Sequence, residues 1–212
     1  MANSTSITYR LKRKILSFTN KISLSLSKPD RKFTADMVYG ILSSKSCLLT
    51  DISDQLHESS RKANTVKRLS NHLAAGTPAS AAASYLRTVK KLVPSEPVVL
   101  IDESDVVKPD GKQFESLGIV RDGSESTQTK NVYKKGYHVT EACALTAHKH
   151  PISVFSRIHS SAEKDYKSVN TITFDAIKQA AALFGKATFV MDRGYDDNKI
   201  FLILDHLKQD YV

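Results

Sequence analysis

Apolar residues recur at helical spacing through the first part of the chain and at strand spacing through the second. From Phe33 onward, Met37, Val38, Ile41 and Leu42 share one helical face, with Thr34 as the candidate N-cap. Leu48, Ile52 and Leu56 repeat every four residues, with Thr50-Asp51 as the start signal, and Val66, Leu69 and Leu73 make a third stripe that Gly76 ends. Residues 78–91, headed by Pro78, read as a fourth helix before "VPSEP" (93–97) breaks the chain. Upstream, residues 1–32 have weak periodicity, carry "RLKRK" and a serine-rich stretch, and read as a short, loosely held basic arm.

After Pro97 the elements change kind. Val98, Val99, Leu100 and Ile101 form an apolar run that stops on Asp102, and residues 108–131 read as a polar, glycine-containing connection. Two strand-like runs, 132–146 and 151–160, are joined by the turn "AHKH", whose His148 and His150 are read as solvated loop residues. A helix over 171–185 follows, then a strand over 187–192 that ends on Asp192, a helix over 196–209, and a new strand beginning at Asp210. Three consecutive strands before the first helix argue against a doubly wound nucleotide-binding fold, which would place a helix after its first strand. An antiparallel meander feeding parallel strands predicts an α/β fold with a ribonuclease H-like mixed sheet over 98–212, preceded by a small all-α, helix-turn-helix-like domain over 33–93.

Composition matters once charge is placed along the chain. The net charge is +9, yet residues 1–97 carry 16 Lys+Arg against 6 Asp+Glu, while residues 98–212 are nearly balanced. The basic excess therefore belongs to the helical part, either as a footprint for a polyanion or as a solvated surface. Short helices with a tight turn between them, the last basic on its outer side, fit a DNA-binding helix-turn-helix, with phosphate contacts assigned to Arg61, Lys62, Lys67 and Arg68. No apolar run approaches membrane-spanning length and no signal peptide is recognisable, so no membrane partner and a cytoplasmic location are expected. Two widely separated cysteines, Cys47 and Cys143, suggest buried, reduced thiols and neither a disulfide framework nor a zinc site.

The two strand-end acids are the candidate chemistry. A carboxylate at the tip of a buried strand is costly unless it is paired, hydrogen-bonded or bound to a metal. If their strands are neighbours, Asp102 and Asp192 together suit a hard cation, Mg²⁺ or Mn²⁺, and two such ions support in-line displacement at phosphorus. Each residue also has a structural reading: Asp102 at a turn, Gly194 in a turn, Asp196 or Asp197 as a helix cap. Arg193 is open between a phosphate contact and neutralisation of Asp192. Strand alternation turns Glu103 away from Asp102, which weakens it as a co-ligand.

"VVLIDESDVVKPDGKQFESLGIVRDGSES", "KGYHVTEACAL", "PISVFSRIHS" and "ATFVMDRGYDD", in this order, resemble the catalytic core of the DDE transposases of bacterial insertion sequences, in the IS4-like group. The resemblance runs from about residue 98 to the end of the chain, and more loosely over the helices from residue 33. It implies that Asp102 and Asp192 are the first and second catalytic, metal-binding aspartates, that the cofactor is Mg²⁺ or Mn²⁺, and that the partner is double-stranded DNA at transposon ends, with self-association on DNA left open. It also implies a bacterial, nucleoid-associated protein active in DNA transposition through phosphodiester cleavage and strand transfer. The family's third acid, a glutamate in Tyr-x₂-Arg-x₃-Glu-x₆-Lys, has no match here, so the chain reads as a C-terminally truncated member with doubtful activity. Two alternatives stand beside this: a non-catalytic DNA-binding remnant or inhibitor of transposition, and a nuclease that completes its site with Glu103 or Asp197.

Overall fold

The computed structural model describes residues 2–212, with side chains from Tyr9 onward. The chain divides into two compact units, Met1–Thr88 and Val89–Val212.

The first unit is helical: α1 (Ala2–Ile22), α2 (Lys28–Ser44), α3 (Leu49–Leu56), α4 (Lys62–Ala75) and α5 (Ala79–Val89). Residues 1–32, expected as a loose arm, are thus mostly helical. Ile15, Thr19 and Ile22 are buried at helical spacing, α1 packs on α2, and the Lys12 ammonium lies 4.8 Å above the Tyr39 ring. The stripe is easy to miss because Thr19 fills its middle position and polar residues surround it. Helix α2 also starts earlier than Thr34. Ser27 caps it by accepting from the Asp30 N–H at 3.3 Å, and Pro29 occupies the first turn, where its missing N–H costs nothing.

Phe33, Ile52 and Leu69 form the buried centre of α2, α3 and α4, with Met37, Ile41, Leu49 and Leu56 packed around them. The inward stripe of α4 is shifted from the expected one. Thr65 and Leu69 are buried, His72 stacks on Phe33 at 5.0 Å, and Leu73 is 49% exposed. Cys47 is exposed rather than buried, and Cys143 is half-buried. Among the described residues no helix is long and apolar enough to cross a membrane.

The second unit runs β1 (Val98–Val107), β2 (Gly118–Arg121), β3 (Tyr133–Leu145), β4 (Pro151–His159), α6 (Val169–Phe184), β5 (Thr188–Val190), α7 (Asn198–His206) and β6 (Asp210–Tyr211). Strand β3 pairs antiparallel with β1 on one side, and with β4 and the short β2 on the other. Strands β5 and β6 continue the sheet parallel to β1. An antiparallel meander whose first strand is then joined by parallel strands through helical crossovers is a ribonuclease H-like sheet, as expected. Strand β2 was hidden in the polar connection because only two of its four residues, Ile119 and Val120, are apolar.

One sheet face is filled. Val99, Ile101, Ala142, Ala144, Val154 and Phe189 are buried, and α6 packs across β1, β3 and β4 with Ala176, Ile177 and Ala180 fully buried. Alanine on both helix and strand permits close approach at crystal-like density. The alternate β1 residues Val98 and Leu100 are each 36% exposed.

In the first unit α2 and α3 cross closely at the buried Gly40, where an added Cβ would overlap Cγ2 of Ile52. Gly→Ala in an exposed helix stabilises by about 1 kcal/mol. Here overpacking of about 1–3 kcal/mol opposes it. Gly40→Ala is expected to lower the melting temperature of the helical unit by about 4–8 °C in a far-UV circular dichroism melt; a rise would contradict the close crossing.

Candidate functional site

The two aspartates lie at one level of the sheet. In the parallel ladder Val98 pairs with Thr188, Val99 with Phe189 and Leu100 with Val190, so Asp102 and Asp192 each stand two residues beyond the last pair. Side chains two apart along a strand share a face, which puts Asp102 on the side of Leu100; Asp192 lies just past the end of β5, in extended backbone. Strand β1 does not end at Asp102, however. It continues to Val107 against β3, with Asp102 opposite Glu141, while β5 leaves the sheet after Val190. The result is a notch beside β1. Both carboxylates are exposed, so no burial cost demands a counter-charge, and the case for a pair rests on the shared register.

Local hydrogen bonds fix each acid. Asp102 Oδ1 accepts from the Glu103 N–H at 2.9 Å, and Asp192 caps the 3₁₀ turn Arg193–Tyr195 by accepting from the Gly194 N–H at 2.8 Å. Each keeps its second oxygen clear of that bond. Two such carboxylates, one within β1 and one just past β5, fit a hard divalent cation whose other positions go to water and phosphate. Among the described residues no group of three His, Cys, Asp or Glu is arranged to hold a metal.

Tyr195 lies beneath this notch and was not singled out in the sequence. Its side chain is buried and, among the described residues, its hydroxyl has no hydrogen-bond partner. Burial, then the charges of Glu103, Asp102 and Asp192, pushes the phenol well above its ordinary pKa, so the three carboxylates lie within electrostatic reach of one ring. A cavity of about 260 Å³ lies on the other side of Asp192, towards α7 and β6, lined in part by Asp192, Arg193, Tyr195, Phe201 and Tyr211; Asp102 does not line it. Arg193 is exposed and has no ion pair among the described residues, which leaves the phosphate reading open and does not support neutralisation of Asp192.

Glu103 joins a different group, on the filled face. It pairs in register with Thr140, and its carboxylate lies 3.3 Å from Nδ1 of His138, which is also 2.9 Å from Asp105. His159, fully buried, shares a 2.8 Å hydrogen bond with Thr140 and stacks between His138 and Tyr166. Burial, reinforced by Asp105 and Asp102, raises the Glu103 pKa, while burial lowers that of His159. The contact of Glu103 Oε1 with His138 is close but poorly aligned, and this oxygen and His159 Nδ1 both lack a hydrogen-bond partner. The signal for these histidines was their place at alternating strand positions: His138 and Thr140 continue the inward series Ala142 and Ala144. Asp197 caps α7 through the Lys199 N–H and accepts from Asn170, so neither Glu103 nor Asp197 completes the aspartate pair.

The four basic residues assigned to DNA separate into two classes. Arg68 is held 2.7 Å from Asp36 and 3.1 Å from Glu58, and Lys62 is 2.6 Å from Asp54. Arg61 and Lys67 are exposed with no ion pair among the described residues. A shallow groove of about 370 Å³ on α4 is lined by Asn64, Lys67, Arg68, Asn71 and His72. The knot beneath it centres on Glu58, which binds Lys32, Thr65 and Arg68; the Lys32 hydrogen bond is the main cause that holds its pKa down to about 2.

Neither a protein-family model nor a curated protein matches the chain. Solved structures with some similarity are a Mos1 transposase paired-end complex with left transposon end, 15% identical with a TM-score of 0.33, and a pre-cleavage Mos1 transpososome, 13% identical with a TM-score of 0.31. In each, 88% of this chain is covered, and the chain spans 59% of the length of the other.

Two outcomes follow from this geometry. Tyr195→Phe removes a buried hydroxyl that has no partner, so the variant is expected to melt at or above the wild-type temperature in scanning calorimetry; a clear loss would reveal a hydrogen bond absent from this arrangement. For Glu58, a folded-state pKa below the ordinary 4.5 means stabilisation present above pH 4.5 and lost as pH falls through about 2. Glu58→Gln should cost about 1–2 kcal/mol at pH 7 in urea unfolding, with the gap closing towards pH 2.

Proposed function

We propose that the chain acts in DNA transposition, its helical unit binding duplex DNA and its sheet unit providing Asp102 and Asp192 for divalent-cation-dependent phosphodiester cleavage and strand transfer. The observation that carries this reading is the common register of the two aspartates beside the notch left by β5. The motifs that resemble the IS4-like DDE transposases support the same assignment, with Asp102 and Asp192 in the order that family requires. A bound Mg²⁺ or Mn²⁺ supplies positive charge for a phosphodiester under attack.

The chain's own residues then divide the work. Asp102 and Asp192 hold the cation, Arg193 meets a phosphate at the mouth of the cavity, and Tyr195 keeps the turn after Asp192 anchored in the interior. On the helical unit, Arg61 and Lys67 contact phosphates directly, with Asn64 and Asn71 along the same groove. Lys62 and Arg68 serve DNA only by exchanging an existing acid partner for a phosphate.

A second reading has its own support: the aspartate pair has no third acid arranged with it among the described residues. A DNA-binding protein that occupies transposon ends without cutting them fits that donor set. One experiment separates the two. Purified chain is incubated with labelled duplex carrying the transposon ends, with Mn²⁺ or Mg²⁺, while strand cleavage and Mn²⁺ binding by electron paramagnetic resonance are followed. The catalytic reading expects cleavage that falls by roughly a hundredfold or more in Asp192→Asn, together with loss of Mn²⁺ binding. Duplex binding without cleavage or Mn²⁺ binding assigns the second reading. Cleavage that survives Asp192→Asn would overturn the assigned site.

A further inference from the structure

The cations of α4 are mostly occupied, whereas those of α1 are not. Arg10, Arg13, Lys14, Ser17 and Lys21 are all exposed and follow one another at helical spacing, so they form a single stripe. At 1.5 Å per residue the stripe is about 16 Å long. No acidic residue occurs anywhere in α1, and among the described residues Arg10, Lys14 and Lys21 have no ion pair. Arg13 lies 6.0 Å from the centre of the exposed Tyr9 ring. A shallow groove of about 290 Å³ is lined by Arg10, Arg13, Lys14 and Ser17.

We propose that this outward face of α1 is a docking surface for the sugar–phosphate backbone of duplex DNA, separate from the α4 groove and independent of base sequence. The inference rests on the DNA-binding reading above and adds a second point of contact to it. Charge complementarity selects the occupant: four cations with no acid among them, and a hydroxyl between Lys14 and Lys21, match a regular row of phosphates, and such contacts bring affinity and salt dependence without reading bases. A basic amphipathic helix also suits an anionic membrane, but insertion there requires a free apolar face. In α1 the side opposite the cations holds Ile15, Thr19 and Ile22, which are already buried, and the helix is packed on α2. The exposed apolar residues of α1, Tyr9, Leu11 and Leu16, do not form one face: Tyr9 and Leu16 flank the cations on one side and Leu11 on the other. Thr19 donates to the Leu16 carbonyl, Ser23 to that of Thr19, Ser27 caps α2, and Lys12 lies over Tyr39.

The test uses the full chain and a labelled random-sequence duplex, with binding followed by fluorescence anisotropy over a salt series. Wild type is compared with a triple Arg10→Gln, Arg13→Gln, Lys14→Gln variant and a double Arg61→Gln, Lys67→Gln variant. Glutamine keeps side-chain length and helix propensity, and far-UV circular dichroism checks that α1 survives. The triple variant is expected to bind at least tenfold more weakly at 0.15 M salt, with the slope of log affinity against log salt shallower by about 2–3. A charge-keeping Arg10→Lys, Arg13→Lys variant should retain both affinity and slope. If the triple variant keeps wild-type affinity and slope while the double variant loses them, the α1 surface is overturned and the DNA-binding reading stands. If wild type binds no duplex, both fall together. If the triple variant loses binding to vesicles rich in anionic lipid but not to duplex, the surface belongs to a membrane and the proposal is overturned.

Discussion

Three residues of parallel pairing, Val98–Leu100 against Thr188–Val190, hold the candidate site together. Everything that makes Asp102 and Asp192 a pair follows from that ladder, because they are 90 residues apart in sequence and share no other described hydrogen bond. The ladder is short, but its surroundings are firm. Val99, Ile101 and Phe189 are buried beneath α6, and Met191 and Val212 extend the contacts through backbone hydrogen bonds. The acids themselves stay at the solvent edge, where β5 departs and a polar ligand can approach without first being stripped of water.

The helical unit shows a different economy of charge. Its basic excess looks uniform along the sequence, yet Lys32, Asp36, Glu58 and Arg68 form one internal network, joined by Thr65. Such a network orients α2 against α4 and takes cations out of circulation. Because the pairs are partly exposed, each contributes modestly, and their joint effect is to fix the geometry of the α4 groove. Arg61 and Lys67 on one side and the stripe of α1 on another are among the cations without an ion pair in the described residues, and so stay available to an anion.

Much of this was legible beforehand. The order of the main elements from residue 98 and the helices around Ile52 and Leu69 follow from apolar periodicity, which is strong wherever one face is buried, whereas the adjacency of the strands of Asp102 and Asp192 was only a condition there. What escaped had weak contrast or depended on long-range partners. Helix α1 escaped because its inward stripe includes Thr19, and β2 escaped because its pairing with β3, not its composition, makes it a strand. Ser27-Lys28-Pro29-Asp30 was read as the end of an arm although it carries the cap and first-turn proline of α2. The fate of Arg68 could not be read at all, since its partners Asp36 and Glu58 come from elsewhere in the chain. His138 and His159 were not singled out in the sequence, because their stacking on the buried side of Glu103 depends on the pairing of β1, β3 and β4.

Strand β1 carries apolar residues at four consecutive positions, followed by the acids Asp102, Glu103 and Asp105, and alternation alone does not say which set faces inward. Shifting it by one place would exchange Val99 and Ile101 for Val98 and Leu100 with little hydrophobic loss, and would send Asp102 inside while bringing Glu103 out. The choice between these two sheets is made at the far end of the strand. There Gly136 of β3 leaves no room for a side chain between the Val106 carbonyl and Val120, and Glu103 and Asp105 meet His138. The half-buried His138 and the buried His159 thus meet Glu103 and Asp105 on one side of β1, which leaves Asp102 on the other.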